Sequence, residues 1–154
     1  MTSDGPVIER LGPSDLGAMR EMLGLFADAF GEADTYLGAQ PSDSYLRSLL
    51  ANDGFIALVA RVGSEMAGAL AAYDLVKFER QRSEIYVYDL AVAERHRRRG
   101  IATALIAALR PIARARGAWV IFVQADDGDE PAIALYRKLG VEERVLHFDI
   151  AVDR

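Results

Sequence analysis

One carboxylate stands inside an otherwise apolar and aromatic part of the sequence. Asp89 lies near the end of residues 85–92, IYVYDLAV, whose β-branched and aromatic side chains predict a β-strand. Burying a carboxylate costs free energy unless it has a partner or a purpose. Asp89 is therefore a candidate for binding a cation or for accepting a proton during catalysis.

A cluster of arginines follows this strand and leads into a helix. Arg97, Arg98, Arg99 and Gly100 precede apolar residues at helical spacing, namely Ile101, Leu105, Leu109 and Ile112. A helix N-terminus presents unpaired N–H groups and a partial positive charge, and a glycine there lets a bulky anion approach the backbone. The stretch predicts a pyrophosphate site, although a solvated basic turn would contain the same residue types.

The elements that must position these residues alternate along the chain. Apolar patterns and turn residues predict strands at 7–11, 55–62, 65–76, 83–92, 119–124 and 145–150. Helices are predicted at 16–30, from 41 through Leu50, at 100–116 and at 131–139, with residues 31–40 as a loop. Pro111 predicts a kink or an early break in the third of these helices.

Composition limits the classes of function. A chain of 154 residues predicts a single domain, and the N-terminal residues show no signal peptide, so the cytoplasm is the expected location. A net charge of −5 argues against nucleic acid as a partner, and the apolar runs are too short for a membrane span. The absence of cysteine and the presence of only two histidines predict no metal site and no cysteine nucleophile.

The arginine turn resembles a known cofactor motif. Residues 97–102, RRRGIA, are similar to the signature Arg/Gln-x-x-Gly-x-Gly/Ala of the GCN5-related N-acetyltransferases. The resemblance implies an α/β fold, with a mixed, bent central sheet, helices on both faces, and acetyl-CoA or coenzyme A between two central strands. It implies cofactor binding by the end of the preceding strand and by the turn, that is, by Leu90, Ala91, Val92, Arg97, Arg98, Arg99, Gly100, Ile101 and Ala102.

A second motif lies downstream. Residues 134–140, ALYRKLG, resemble the family segment in which a tyrosine approaches the coenzyme A sulfur, so Tyr136 is a candidate for cofactor binding and for protonating the thiolate. A tyrosine that packs in the core would give the same pattern. The family usually has an asparagine where this chain has Asp129. The motif therefore implies a cofactor contact at Asp129, while the change to an acid suggests that this side chain faces the acceptor instead.

Acetyl transfer to an amine also needs a group that binds and deprotonates an ammonium ion, whose pKa is on the order of 10. Asp89 is the best-placed carboxylate in the sequence, with Glu84 and Asp126 next and Asp149 behind them. A buried structural acceptor is the alternative role for Asp89. Since the chain has no cysteine for an acyl-enzyme, we expect direct attack by the amine in a ternary complex.

Several longer segments resemble a narrower family, the gentamicin-type aminoglycoside 3-N-acetyltransferases. The most specific of them are YDLAV and DDGDEPAIALY. They imply a polycationic aminoglycoside acetylated on its deoxystreptamine ring, antibiotic resistance as the outcome, and a homodimer. Substrate contacts are expected from one tyrosine and six acids: Asp34, Tyr36, Glu84, Asp89, Asp126, Asp127 and Asp149. Glu32 is a further candidate, and a plain surface loop is the alternative for residues 31–40. A solvated acidic turn is the alternative for the acids between Asp126 and Glu130. The alternatives are a polyamine or other small-amine acceptor, a non-catalytic acyl-CoA-binding domain and, more weakly, nucleic-acid binding by the arginines.

Overall fold

A computed structural model describes residues 5–153 of the chain. The chain divides after Gln124 into two compact units. The first unit contains the sheet and most of the helices, and the second contains one helix and the C-terminal segment. The prediction of a single domain stays a prediction.

The first unit is built on a five-stranded sheet. Its strands are β1 (Val7–Arg10), β2 (Phe55–Val62), β3 (Glu65–Val76), β4 (Ser83–Val92) and β5 (Ala118–Val123). They lie side by side in chain order; β1 to β4 are antiparallel, and β5 is parallel to β4. The predicted mixed sheet is therefore confirmed, and the strands from 55 to 92 have the bounds that the apolar runs and the turn residues between them predict.

Helices pack on both faces of this sheet, as predicted. They are α1 (Leu16–Phe30), α2 (Ala33–Leu37), α3 (Asp43–Ala51) and α4 (Ile101–Ala115). Helices α1 and α3 bury their apolar sides against small residues of three strands, in a cluster that includes Met22, Phe26, Leu46, Ala57, Ala69, Ala71 and Ala91. Helix α4 packs on the opposite face, where Ile101 and Leu105 lie against Gly68 of β3.

The loop predicted at residues 31–40 and an early break at Pro111 are both wrong, whereas a kink at Pro111 stays a prediction. Residues 31–40 are not all loop, because α2 forms there, with Asp34 in its first turn and Tyr36 packed at ring distances of 5.8 and 5.9 Å from Phe26 and Phe30. Helix α4 does not break at Pro111 but continues to Ala115. Pro111 is exposed, so the carbonyl that loses its partner can be hydrated.

The second unit contains α5 (Glu130–Leu139), which begins at Asp129 and ends at Gly140, close to the prediction. The predicted strand at 145–150 is wrong: residues 141–153 have no regular secondary structure. A strand needs hydrogen bonds from a neighbour, and the described residues of this unit contain no other strand. Leu146 and Phe148 are 83% and 78% exposed. Among residues 5–153, no helix has the length and apolarity to cross a membrane.

Candidate active site

A β-bulge on β4 sets the orientation of Asp89. Val87 pairs with Ala72 of β3, whereas Asp89 pairs with Ala71, so Tyr88 is one extra residue on β4. With regular alternation, Asp89 would share the face of Ile85 and Val87, which is opposite to α1 and α3. The bulge moves Asp89 to the face of Ala71, the one that α1 and α3 cover.

Asp89 is hydrogen-bonded to a side chain that is 53 residues away in sequence. The Tyr36 hydroxyl donates to Asp89 Oδ2 at 2.8 Å. Tyr36 is held in place by its ring contacts with Phe26 and Phe30 of α1. The chain turns from α1 towards α2 at Gly31, whose φ of +64° is in the left-handed region that glycine adopts without strain.

The surroundings of Asp89 favour a proton acceptor of increased basicity. Partial burial raises the pKa of Asp89, the nearby negative charge of Glu32 raises it further, and the hydrogen bond from Tyr36 lowers it. Burial, and then the hydrogen bond and charge of Asp89, raise the pKa of Tyr36 well above its ordinary value. Tyr36 therefore stays protonated and donates to the carboxylate over the whole working range of pH.

The arginine turn forms an anion site at the start of α4. Gly100, the residue before the helix, has a φ of +74°, and Arg98 also adopts a left-handed φ of 64°. In the described part of the chain, no side chain caps this helix start, so its first N–H groups are free for a ligand. Arg97, Arg98 and Arg99 are all exposed beside it.

A buried histidine holds this turn against the sheet. His96 ends a 3-10 turn, Glu94–His96, and its Nε2 lies 2.8 Å from Glu65 Oε2 at the start of β3. Arg95 makes an ion pair with Glu65, and the contacts of Glu65 with His96 and Arg95 hold the pKa of that carboxyl below its usual range. Sequence reasoning missed this pair, because 31 residues separate its members and no local pattern links them.

The end of β4 offers a backbone edge without a partner strand beside the anion site, and the exposed Arg97 side chain donates to the Val92 carbonyl there at 3.5 Å. The β4–β5 ladder ends at the pair Val87 and Val123, while β4 runs on to Val92. The β5 side of Leu90, Ala91 and Val92 therefore lacks a strand partner among the described residues. An extended ligand with amide groups can pair with that edge and place its anionic end at Gly100. The residues present thus fit acyl-CoA.

Two predicted site residues of the first unit do not meet Asp89. Glu84 lies at the other end of β4, five residues away, which is about 16 Å along a strand. It accepts a hydrogen bond from Trp119 Nε1 at 3.1 Å and pairs with Lys77 at 3.4 Å. Asp34 is exposed on α2. Catalysis by Glu84 and substrate binding by Asp34 stay predictions.

The other predicted residues lie in the second unit. Asp129 Oδ1 accepts a hydrogen bond from the Ala132 N–H at 3.4 Å and so caps α5. Burial, and then the charge of Asp129, raise the pKa of Tyr136. Asp149 lies 2.8 Å from His147 Nε2, and the acids of the preceding turn, Asp126 and Asp127, are exposed. The predicted roles of these residues stay predictions.

Comparison with known proteins identifies the family. The model of the acetyltransferase (GNAT) family matches residues 19–141. This chain belongs to the GNAT acetyltransferase family. The family uses acetyl-CoA, the cofactor that the turn before α4 and the unpaired edge of β4 fit. As a member of this family, the chain is an acyl-CoA-dependent N-acetyltransferase.

Solved structures agree with this assignment. The chain has a TM-score of 0.94 and 55% identity to an aminoglycoside acetyltransferase from an uncultured soil metagenomic sample, covering 99% of this chain and 100% of that one. A second aminoglycoside acetyltransferase from such a sample, in complex with sisomicin, has a TM-score of 0.89 and 31% identity, covering 96% and 97%.

Curated relatives are more distant. The streptothricin acetyltransferase of Streptomyces lavendulae is 29% identical over 110 residues, which cover 71% of this chain and 52% of that protein. The chain spans about half the length of the curated relatives that it matches.

Proposed function

We propose that this GNAT protein is an aminoglycoside 3-N-acetyltransferase of the gentamicin type. It would transfer the acetyl group of acetyl-CoA to an amine of the deoxystreptamine ring. The observation that carries the proposal is the position of Asp89, a carboxylate with a raised pKa on the acceptor face, close to the unpaired edge of β4. The 55% and 31% identity to proteins named aminoglycoside acetyltransferases supports this class of acceptor.

On the donor side, bound acetyl-CoA supplies an acetyl thioester. The free N–H groups at the start of α4 and the arginines from Arg97 to Arg99 bind its anionic groups. Leu90 and Val92 offer backbone groups to its extended arm. The His96–Glu65 pair keeps the turn in position.

On the acceptor side, Asp89 binds the ammonium form of the amine and takes its proton, which leaves the nitrogen lone pair free for direct attack in a ternary complex. Tyr36 fixes the orientation of the carboxylate through its hydrogen bond. The charge of Glu32 adds to the negative field that attracts a polycation. Tyr136 is the proposed proton donor to the departing thiolate.

The first test is the release of coenzyme A from acetyl-CoA in the presence of gentamicin, a kanamycin-type drug, spermidine and a lysine peptide, each assayed separately. We expect turnover with gentamicin, and mass and NMR analysis of the product should place the acetyl group on N3. Turnover with spermidine alone would favour a polyamine acetyltransferase. Acetyl-CoA binding without turnover on any amine would favour a non-catalytic acyl-CoA-binding domain.

We also propose that the protein is a homodimer, acts in the cytoplasm and confers aminoglycoside resistance. The exposed apolar side chains of the C-terminal segment, Val145, Leu146, Phe148 and Ile150, support self-association. Light scattering behind a sizing column gives the mass in solution. Expression in a susceptible strain should raise the inhibitory concentration of gentamicin, whereas Asp89→Asn should not.

A further inference from the structure

Four aromatic residues line up across four neighbouring strands. Phe55 of β2 pairs with Tyr73 of β3, Tyr73 pairs with Tyr86 of β4, and Tyr86 pairs with Phe122 of β5. The rings of Phe55 and Tyr73 are 5.5 Å apart, and those of Tyr86 and Phe122 are stacked at 4.6 Å. The row lies on the face of Ala71, the same face as Asp89.

The bulge residue connects this row to the candidate active site. The Tyr88 ring lies 5.7 Å from the Tyr73 ring and 5.7 Å from the Tyr86 ring, edge-on to both. Asp89 is the next residue along the strand. Tyr88 is 61% exposed and Tyr73 is 38% exposed, so ring surface is open to a ligand.

We infer that Tyr73, Tyr86 and Tyr88 form an acceptor platform, which binds the ring faces and ammonium groups of the acceptor while Asp89 takes the reacting amine. The inference rests on the proposed function and adds a binding surface to it. The platform lies beyond Asp89 towards the N-terminal end of β4, where Glu84 follows as the next side chain on the same face.

The chemistry of the platform suits a cyclic polyamine. Ring faces attract ammonium groups, and they also pack well against the C–H groups of a sugar or cyclitol ring. Hydrogen bonding holds Tyr86 in place, since its hydroxyl donates to Gln124 Oε1 at 2.6 Å. Negative charge lies at the Asp89 end of the platform, where Glu32 is also close to Asp89, so a polycation is favoured over an anionic or neutral occupant. At the other end, Glu84 is already paired with Lys77.

The test compares three variants by steady-state kinetics with gentamicin and by calorimetric titration with acetyl-CoA. Tyr88→Leu removes the ring but keeps an apolar side chain, and Tyr88→Phe keeps the ring and removes only the hydroxyl. Phe78→Leu is the control, because Phe78 is 99% exposed in the loop before β4, away from the row. Thermal melts show whether each variant is folded.

We expect Tyr88→Leu to raise the KM for gentamicin about tenfold, with little change in acetyl-CoA affinity. Tyr88→Phe should have a KM for gentamicin close to that of the wild type, because it keeps the ring. Phe78→Leu should behave like the wild type. If Tyr88→Leu is misfolded, Tyr73→Leu provides the same test, because Tyr73 belongs to the same platform.

Three outcomes would overturn the inference. An unchanged KM in Tyr88→Leu, with normal gentamicin turnover by the wild type, would show that the platform does not bind the acceptor. The proposed function would still stand. A change of mass in solution without a change of KM would assign the row to contact with a second copy of the chain. No gentamicin turnover by the wild type would defeat the proposed function, and this inference with it.

Discussion

The Tyr36 hydroxyl donates to Asp89 at 2.8 Å and joins the segment after α1 to the bulge of β4. Each partner changes the acidity of the other: the hydrogen bond lowers the pKa of Asp89, and the carboxylate raises the pKa of Tyr36. Burial and Glu32 act on Asp89 in the opposite direction and outweigh the hydrogen bond, so its pKa lies above the ordinary value of 3.8.

The first prediction concerns the acid limb of the pH profile of kcat/KM. The limb marks the ionisation of Asp89, because only the carboxylate form accepts a proton. Tyr36→Phe removes the contact that lowers the pKa of Asp89, so the limb should move to higher pH. Glu32→Gln removes a charge that raises it, so the limb should move to lower pH. The profile is measured with gentamicin at saturating acetyl-CoA.

Controls for this profile are available on the same chain. Tyr45→Phe removes the hydroxyl of an exposed tyrosine on α3, and Glu143→Gln removes an exposed charge in the second unit. Neither should move the limb. Shifts of equal sign in Tyr36→Phe and Glu32→Gln would contradict the assignment of the limb to Asp89.

The second prediction separates chemistry from cofactor binding. Asp89→Asn keeps the size of the side chain and can still accept from Tyr36, but it cannot take a proton. We expect kcat to fall by about 10²- to 10⁴-fold, while the dissociation constant of acetyl-CoA from calorimetry changes less than about twofold. Turnover near the wild-type rate would assign Asp89 a structural role only.

The third prediction follows from the same raised pKa of Asp89. Its folded-state pKa lies above its unfolded value, so the protonated form favours the fold and the ionised form disfavours it. Asp89→Asn should therefore melt at a higher temperature than the wild type at neutral pH. This gain in melting temperature should disappear as the pH falls below the pKa of Asp89 in the unfolded chain, because Asp89 is then protonated in both states. A pH-independent difference, or the same gain in Glu143→Gln, would argue against this linkage.

Much of the fold was predictable because its signals are local. The nearly continuous apolar runs of residues 55–62, 65–76 and 83–92 and the helical spacing of residues 16–30 depend only on short stretches of sequence. The same is true of the turn before α4, where Gly100 adopts the left-handed conformation that its position requires.

The features that could not be predicted depend on pairs of distant segments. The bulge at Tyr88 is a property of the register between β3 and β4, whereas the sequence of β4 alone predicts a regular strand. The contact of Tyr36 with Asp89 depends on α2, which is only five residues long and lies in a stretch of turn-forming composition. The apolar pattern at 145–150 predicted a strand, but residues 125–153 of its unit supply no partner strand.

The fourth prediction concerns the turn before α4. Gly100→Val adds a side chain at a φ of +74°, where β-branched residues are strained, and it crowds the anion site. We expect a loss of acetyl-CoA affinity of about tenfold or more. Arg99→Ala should weaken binding less, through the loss of one charge. Calorimetric titration with acetyl-CoA measures both effects.

A matched control separates strain from binding. Gly117, just after α4, has a φ of +73° and open space at its Cβ position, as Gly100 has. Gly117→Val should lower the melting temperature by a similar amount and leave acetyl-CoA affinity unchanged. Equal losses of affinity in both variants would mean that the turn contributes only to folding.

The last prediction concerns the packing that brings the start of α4 onto the sheet. A Cβ atom on Gly68 of β3 would lie 2.8 Å from the Ile101 side chain and 3.1 Å from the Ala91 carbonyl oxygen. Neither can yield easily, since Ile101 is 2% exposed and the carbonyl is backbone. Gly68→Ala should therefore push α4 away from β3 and cost about 1–3 kcal/mol of stability.

The same shift would move the anion site relative to the edge of β4, so acetyl-CoA affinity should fall together with stability. Gly24→Ala is the control: Gly24 lies within α1 with nothing within 4 Å of its Cβ position, so alanine should stabilise that helix by about 0.5–1 kcal/mol. Denaturant unfolding and calorimetric titration measure the two quantities. A Gly68→Ala protein with wild-type stability and acetyl-CoA affinity would show that α4 does not depend on this close approach.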